Sequence, residues 1–169
     1  MARVTQRGID AALPYAGPTV WHTGGDGATS TTQGTDTTPS VTEEYVAEVF
    51  VPMNSQSTGI AILNGSAVAG NVQAVLYDSN GKIVATTAST AASGTAAYQQ
   101  VPWSAVQNLK GPAKYYVGLQ NDSTSNRFRT HTLGNFTTTK KTAQTYGTFT
   151  SLTVPTTFTT AVGPIADLY

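Results

Sequence analysis

From Val41 onward, apolar and polar side chains alternate along much of the chain, which is the pattern of β-strands. The segment EEYVAEVFVP (43–52) ends at a proline, a residue that interrupts strand pairing. It places Tyr45, Ala47, Val49 and Val51 on one face, and Val46 and Phe50 on the other. Similar segments recur at a spacing of roughly ten residues, which is typical of sandwiches and barrels. They are STGIAILNG, AYQQVPW, AKYYVGLQ, NRFRTHTLG, YGTFTSLTV and the stretch around TTFTTAVGPIADLY.

The clearest local signal is VLYDSNGKIVATTA (75–88), where two apolar arms flank Asp-Ser-Asn-Gly. Asp78 suits the first position of a turn because its side chain can accept a backbone N–H. Gly81 suits the fourth position, where a left-handed backbone is free of Cβ clashes. The segment therefore predicts a β-hairpin with a type I turn and Gly81 in the left-handed region.

No window shows a convincing helical period, and the many Thr and Val residues favour strands. WSAVQNLKG (103–111) is the one segment that we interpret as a helical turn. Strands with one apolar face and strands with two apolar faces together indicate two packed sheets. We predict an all-β protein with a single antiparallel β-sandwich, jelly-roll-like or immunoglobulin-like, and an extended N-terminal arm.

The N-terminal quarter of the chain differs from the rest. Residues 23–40 (TGGDGATSTTQGTDTTPS) contain one apolar side chain and predict a flexible linker. Before them, ALPYAGPTVWH has two prolines that oppose a helix, together with apolar residues that a solvated tail would not need. We therefore predict an anchoring arm at 1–22, a linker at 23–40 and a sandwich at 41–169. The predicted partner-binding residues of the arm are Leu13, Tyr15, Val20 and Trp21; alternatively, Tyr15 and Trp21 complete the domain's own core.

Composition narrows the classes of function. Charged residues are 11% of the 169 residues, and nine basic residues balance nine acidic ones. A nucleic-acid partner is not expected without a basic excess, whereas a near-neutral surface suits packing against copies of itself or a larger assembly. There is no cysteine, so disulfides and thiolate metal sites are excluded. The start MARVTQRG lacks the apolar core of a secretory signal, and no apolar run suggests a membrane span, so we expect synthesis in the cytosol and no membrane partner.

Candidate catalytic groups are few. His22 and His131 are the only histidines, and His22 borders the predicted linker, so a Ser-His-Asp set would depend on His131. Glu44 and Glu48 would share a strand face about 13 Å apart, with Glu43 pointing away, which is too far for the usual glycosidase pair. Asp78 and Asn80 resemble the start of a calcium loop, but the downstream acidic ligand is missing. We therefore expect no enzyme activity, no metal and no cofactor.

Two sets of residues are candidates for binding. In NRFRTH, strand geometry would project Arg127, Arg129 and His131 from one face, either as a solvated edge or as a cationic stripe for an acidic protein surface or anionic glycan. The aromatic residues Tyr98, Trp103 and Tyr116 could stack on sugar rings, although aromatics in β domains more often lie in a core or an interface.

The run EYVAEVFVPMNSQSTGIAILNGSAVAGNVQAVLYDSNGKIVATTA (44–88), with YQQVPW, KYYVGLQND and VGPIADLY, resembles small β-sandwich structural proteins of tailed-bacteriophage virions, especially capsid decoration (cement) proteins. It is also similar to the sugar-binding type of sandwich that such viruses reuse. The shared motifs belong to the fold and include no catalytic signature, so no residue role carries over.

The resemblance implies a non-enzymatic virion protein on the capsid surface, made in the host cytoplasm. Its partner would be the major capsid protein, whose contacts it would stabilise, and it would form a homo-oligomer, a trimer or a dimer. The alternative is a carbohydrate-binding module of a phage fibre or tail that attaches to host surface glycans.

Overall fold

The structure, a computed structural model, describes residues 21–23, 33–132 and 136–169. These residues form an all-β fold, as predicted, and contain no helix. The strands are β1 (Trp21–His22), β2 (Thr35–Thr37), β3 (Glu44–Val51), β4 (Ser55–Leu63), β5 (Asn71–Tyr77), β6 (Ile83–Thr86), β7 (Thr90–Ala91), β8 (Tyr98–Leu109), β9 (Ala113–Asn121), β10 (Phe128–Thr130), β11 (Thr138–Lys141) and β12 (Ala166–Leu168).

Two antiparallel sheets form the predicted sandwich. One has the order β1-β12-β4-β8, and the other has the order β11-β3-β9-β5-β6, with β7 also paired to β5. The inner faces enclose one apolar core, to which Val49 of β3, Ile60 of β4 and Leu119 of β9 each contribute an almost completely buried side chain. This core explains the alternation in EEYVAEVFVP, because Tyr45, Val49 and Val51 face it from one side of β3.

The hairpin at 75–88 is confirmed. Strands β5 and β6 pair antiparallel, and the turn between them has Gly81 at φ 78°. Asp78 Oδ1 accepts hydrogen bonds from the backbone N–H groups of Asn80 and Lys82, each at 2.9 Å. The carboxylate therefore organises the turn, as its position in the sequence predicts.

Residues 144–154, which we call the strap, cross the outer face of the larger sheet. We predicted a strand in YGTFTSLTV, and this was wrong, because the segment has no strand partner. Instead Leu152 closes a second apolar cluster with Val46, Val75, Tyr77 and Tyr116. Apolar residues on both faces of the sheet are thus buried, one face by the other sheet and one by the strap.

The predicted helical turn at 103–111 is wrong. Strand β8 continues to Leu109 and pairs with β4 across a register shift between Ser57 and Gly59. The buried side chains of Trp103 and Leu109 explain the difference, since tertiary packing overrides the weak local preference.

The boundary of the predicted linker is also wrong. Residues 33–40 belong to the folded domain, because β2 pairs with β10 over Thr35–Thr37 and Pro39 is buried. The side chain of Asp36 adds a tertiary contact by accepting a hydrogen bond from the backbone N–H of Ser66 at 3.0 Å. Residues 24–32 of the linker and residues 1–20 of the arm lie outside the described residues.

Candidate functional site

Trp21, the last apolar residue of the predicted arm, is part of the sandwich. It pairs with Leu168 of β12, and its indole packs against the central core. Its Nε1–H donates a hydrogen bond to Ser55 Oγ at 2.9 Å. These contacts favour the alternative in which Trp21 completes the domain's own core. Leu13, Tyr15 and Val20 lie outside the described residues, so their role in an arm stays a prediction.

The aromatic side chains proposed for glycan stacking are mostly buried. Trp103 is 5% exposed and Tyr116 is 3% exposed, and Trp103 Nε1–H donates to Ser57 Oγ at 2.8 Å. Tyr98 is partly buried against Leu63 and Ile165. Stacking on a sugar requires an open ring face. Trp103 and Tyr116 are therefore core residues, which is the more common role of such aromatics, and they do not provide stacking platforms.

The predicted cationic stripe is only partly present. His131 is 4% exposed, so it does not share an open surface with the two arginines. Arg127 Nη1 lies 3.4 Å from Asp36 Oδ2. Burial opposes the ionisation of Asp36, but the hydrogen bonds from Ser66, and then the charges of Arg129 and Arg127, lower the pKa of Asp36. The stripe is reduced because β10 is not a solvated edge: it pairs with β2, and Phe128 also bridges to Asn64.

Thr23 and His131 form a buried polar contact near β1. The hydroxyl of Thr23 donates to the carbonyl oxygen of Pro164 at 2.9 Å and accepts from the N–H of Ala166 at 3.0 Å. The distance from Thr23 Oγ1 to His131 Nε2 is 2.8 Å. Because the single hydroxyl proton is used on Pro164, the imidazole must donate through Nε2–H. The contact therefore joins Thr23 to His131 as part of a buried polar network.

His22 is also engaged in strand pairing. It lies directly opposite Asp167 in the β1–β12 pair, and His22 Nδ1 contacts Asp167 Oδ1. The two histidines of the chain thus fix adjacent residues of one short segment, His22 itself and Thr23. These contacts hold residues 21–23 against β12 and the residues that precede it.

The acidic residues of β3 are separately paired. Glu44 is fully buried under the strap, where it accepts a hydrogen bond from the hydroxyl of Tyr77 at 2.7 Å. Lys141 Nζ lies 3.0 Å from Glu44 Oε2 in an ion pair without the alignment of a hydrogen bond, and it also donates to the carbonyl oxygen of Thr150 at 3.0 Å. Burial and then the charge of Glu44 raise the pKa of Tyr77 above its usual range. The cluster binds the strap to the sheet.

At one end of the sandwich two loops touch, and exposed apolar side chains lie in one of them and in the strand that leads into it. We call these the double loop: residues 52–54 between β3 and β4, and residues 110–112 between β8 and β9. Phe50, at the end of β3, is 50% exposed and Met53 is 52% exposed. A Cβ on Gly111 would lie 2.5 Å from the backbone nitrogen of Met53, so the two loops are in close contact.

Hydrogen bonds hold the double loop in one conformation. The N–H of Gly111 donates to Asn54 Oδ1 at 3.1 Å, which joins the two loops. The hydroxyl of Tyr115 accepts from the N–H of Lys110 at 2.9 Å and donates to the carbonyl oxygen of Lys110 at 3.1 Å. These hydrogen bonds restrict the backbone of residues 110–112 and join the two loops.

The charge at this end is positive. Lys110 is exposed and makes no ion pair with any of the described residues. Lys114, which lies opposite Phe50 in the β3–β9 pair, is 3.0 Å from Glu48 Oε1, and this contact raises the pKa of Lys114. The other oxygen of Glu48 accepts hydrogen bonds from Thr137. Lys110, which precedes Gly111 in the double loop, therefore carries a charge that is not paired with any carboxylate of the described residues.

The exposure of Phe50 was not predicted from the sequence. Phe50 shares a strand face with Val46, and the alternation of apolar residues treats both alike. Val46 is fully buried by the strap, whereas Phe50 lies beyond the residues that the strap covers. A signal was present in the pair Pro52-Met53, because the proline ends the strand and leaves a large apolar residue in the following turn.

Other classes of site are not found in the described residues. They include no group of three or more His, Asp or Glu side chains that could hold a metal ion. They also contain no helix that is long and apolar enough to cross a bilayer.

Comparison with known proteins gives no relative. No protein-family model, no curated protein and no solved structure matches the chain.

Proposed function

We propose that this chain is a non-enzymatic structural protein of a tailed-phage virion, a capsid decoration or cement protein that binds and stabilises the assembled head shell. The observation that carries the proposal is the exposure of two large apolar side chains three positions apart in sequence, Phe50 near the end of β3 and Met53 in the double loop. Large exposed apolar side chains next to each other often mark protein interfaces. A rigid sandwich with a bridging surface suits a protein that reinforces contacts between other subunits.

The proposed partner is the major capsid protein, and the proposed location is the outer surface of the capsid. The equal numbers of acidic and basic residues support close packing of several copies, because no net charge drives the copies apart. A homo-oligomer, a trimer or a dimer, remains part of the proposal. Leu13, Tyr15 and Val20 are proposed to add apolar contacts from the arm, while Trp21 is assigned to the sandwich.

The test uses phage heads that lack this protein, prepared by deleting its gene from the phage that carries it. Purified full-length protein should co-sediment with these heads at a saturating ratio, raise the temperature at which they release DNA, and be visible on the shell by electron cryomicroscopy. Purified tails are the control particle. No saturable binding to heads would overturn the proposal.

A glycan array on the same protein distinguishes the carbohydrate-binding alternative. We expect no specific glycan, because Trp103 and Tyr116 have no open ring face. If a glycan bound and Tyr98→Ala abolished that binding without unfolding the protein, the fibre or tail alternative would replace the decoration proposal.

A further inference from the structure

We propose that Asn80 is a site of spontaneous deamidation in the folded protein, and that the β5–β6 turn and the strap limit its rate. This modification site is independent of the proposed function. The chain has two Asn-Gly pairs, Asn64-Gly65 and Asn80-Gly81. Asparagine reacts most readily before glycine, because glycine has no side chain to shield its backbone nitrogen.

Deamidation converts the side-chain amide of asparagine into a carboxyl group, with water as the only co-reactant. The backbone nitrogen of the following glycine loses its proton to solvent and attacks Cγ of the asparagine. A C–N bond forms, the side-chain nitrogen takes up a proton and leaves as ammonia, and the product is a cyclic succinimide. Water then opens the ring at either carbonyl, which gives an aspartate or an isoaspartate. The reaction therefore needs a glycine nitrogen that is free to attack and an amide that is free to leave.

The pair Asn64-Gly65 meets neither requirement. Asn64 is fully buried, and its Nδ2 donates to the carbonyl oxygen of Ser93 at 2.7 Å and to Gln99 Oε1 at 3.1 Å. The N–H of Gly65 donates to the carbonyl oxygen of Arg127 at 2.7 Å. The leaving group and the attacking nitrogen are both held by the folded domain. Asn64 should therefore react only when the domain unfolds.

The pair Asn80-Gly81 meets one of the two requirements. Asn80 is exposed, so its amide can leave into solvent. The attacking nitrogen is held, because the N–H of Gly81 donates to the carbonyl oxygen of Asp78 at 2.9 Å. Asp78 Oδ1 also closes the turn by accepting from the N–H groups of Asn80 and Lys82. The turn must therefore open before the nitrogen of Gly81 can attack.

The strap adds a second restraint on the turn. The N–H of Leu152 donates to the carbonyl oxygen of Gly81 at 2.8 Å, and the side chain of Leu152 is buried in the cluster on the outer face of the larger sheet. Local opening needs less free energy than global unfolding, so Asn80 can react while the domain stays folded. An isoaspartate would lengthen the main chain between positions 80 and 81 by one atom. This change would displace Gly81 from Leu152 and loosen the strap.

The experiment incubates the full-length protein in mildly alkaline buffer, folded and in urea, and follows both asparagines by peptide mass spectrometry. In urea, Asn64 and Asn80 should convert at similar rates. In the folded protein, Asn80 should convert about tenfold or more slowly than in urea, and Asn64 should stay unreacted over the same period. Equal conversion of the two asparagines in the folded protein, or conversion of Asn80 as fast as in urea, would overturn the proposal.

Three variants test the turn and the strap. Asp78→Ala removes two of the hydrogen bonds that close the turn, so conversion at Asn80 should be about tenfold faster. Leu152→Ala, which removes a buried side chain of the strap, should also accelerate it. The matched control is Asp122→Ala, because Asp122 likewise accepts from a backbone N–H, that of Asn71 at 2.6 Å, but in a different loop. The control should leave the rate at Asn80 unchanged.

Asn64 reports global unfolding in every variant. Faster conversion at Asn80 in Asp78→Ala, with Asn64 unreacted, would show that opening of the turn limits the reaction. The role of the turn would be overturned if Asp78→Ala gave no acceleration, if it accelerated both asparagines alike, or if Asp122→Ala accelerated Asn80 as much.

The effect of the product on the strap has a separate readout. Chymotrypsin cleaves after aromatic residues and leucine, which the strap carries at Tyr146, Phe149 and Leu152. In partly deamidated wild type, the chains that a brief treatment cuts within the strap should be enriched in isoaspartate at position 80. Equal amounts of isoaspartate in cut and uncut chains would overturn the link between the modification and the strap.

Discussion

The backbone N–H of Leu152 donates a hydrogen bond to the carbonyl oxygen of Gly81 at 2.8 Å. This bond fixes the strap on the turn of the β5–β6 hairpin. A turn that the sequence presents as a local feature is therefore also a tertiary contact, and Gly81 has two separate reasons to be glycine. Its φ of 78° is unfavourable for other residues, and a Cβ would lie 1.9 Å from the carbonyl oxygen of Leu152.

Substitution of Gly81 by Ala should lower the free energy of unfolding by about 2 kcal/mol or more, because left-handed backbone strain and displacement of the strap add together. Gly94→Ala is the matched control. Gly94 has a similar φ of 80°, but its nearest neighbour would be Ala97 Cβ at 3.4 Å, so only the backbone strain of about 1 kcal/mol applies. Urea unfolding of both variants gives the comparison. Equal losses would show that the strap contact contributes nothing.

The ion pair under the strap gives a second prediction. Lys141→Met should destabilise the protein by about 3 kcal/mol or more, because it leaves the fully buried carboxylate of Glu44 uncompensated. The neighbouring Lys140→Met is the control: Lys140 is 40% exposed and pairs with Glu43, and such surface pairs contribute about 0–1 kcal/mol.

A double-mutant cycle isolates the buried pair. Because Glu44→Gln removes the uncompensated charge, the double variant with Lys141→Met should be more stable than Lys141→Met alone. Chemical unfolding of the four proteins measures the coupling. Additive losses would contradict the buried ion pair.

The sequence predicted the sandwich and the hairpin because each depends on local pattern. The alternation in β3 and the Asp78-to-Gly81 turn are both visible within ten residues. The strap was not predicted, because its residues are placed by long-range contacts such as that between Gly147 N–H and Gln120 Oε1 at 2.9 Å. A period of two identifies a strand and its faces, but not what covers each face.

The candidate site was harder to predict for the same reason. Tyr45 and Phe50 are both aromatic residues of one strand, yet Tyr45 is 5% exposed and Phe50 is 50% exposed. The loop that contains Met53 and the loop that contains Lys110 are far apart in sequence. They meet because β3 pairs with β9 and β4 pairs with β8, so that both connections lie at the same end of the sandwich. Trp103 attracted a functional interpretation from its residue type alone, and its burial follows from pairing that no local pattern shows.

The polar contact at Thr23 gives a third prediction. Thr23→Val should lower the free energy of unfolding by about 2–3 kcal/mol, because the buried carbonyl oxygen of Pro164 and the N–H of Ala166 each lose a partner. Thr23→Ser retains the hydroxyl and loses only a methyl group, so a loss of about 1 kcal/mol is expected. Thermal or urea unfolding checks both variants. A serine variant as unstable as the valine variant would show that packing of the methyl group, and not the hydroxyl, holds this segment.

Stability should fall in acid, and Glu48 gives the means to test the cause. Burial opposes the ionisation of Glu48, but the hydrogen bonds from Thr137 and Lys114 outweigh it and hold the pKa of Glu48 below 4.5, its usual value. The hydrogen bond from Asn71 likewise lowers the pKa of Asp122. Since these carboxyl groups bind protons more readily in the unfolded chain, their stabilisation is present above the unfolded pKa and is lost as the pH falls through the folded pKa.

We therefore expect the contribution of these carboxyl groups to the free energy of unfolding to be level between about pH 7 and 5, and to decline below that range. Glu48→Gln should make the decline between pH 5 and 3 smaller than in the wild type, because one of the linked groups is removed. Lys114→Met should change it less, since the side chain of Lys114 is 54% exposed and its charge is screened by solvent. Urea unfolding at a series of pH values measures all three proteins. If Glu48→Gln declined as steeply as the wild type, the loss of stability in acid would not come from the hydrogen bonds and charge that lower the pKa of Glu48.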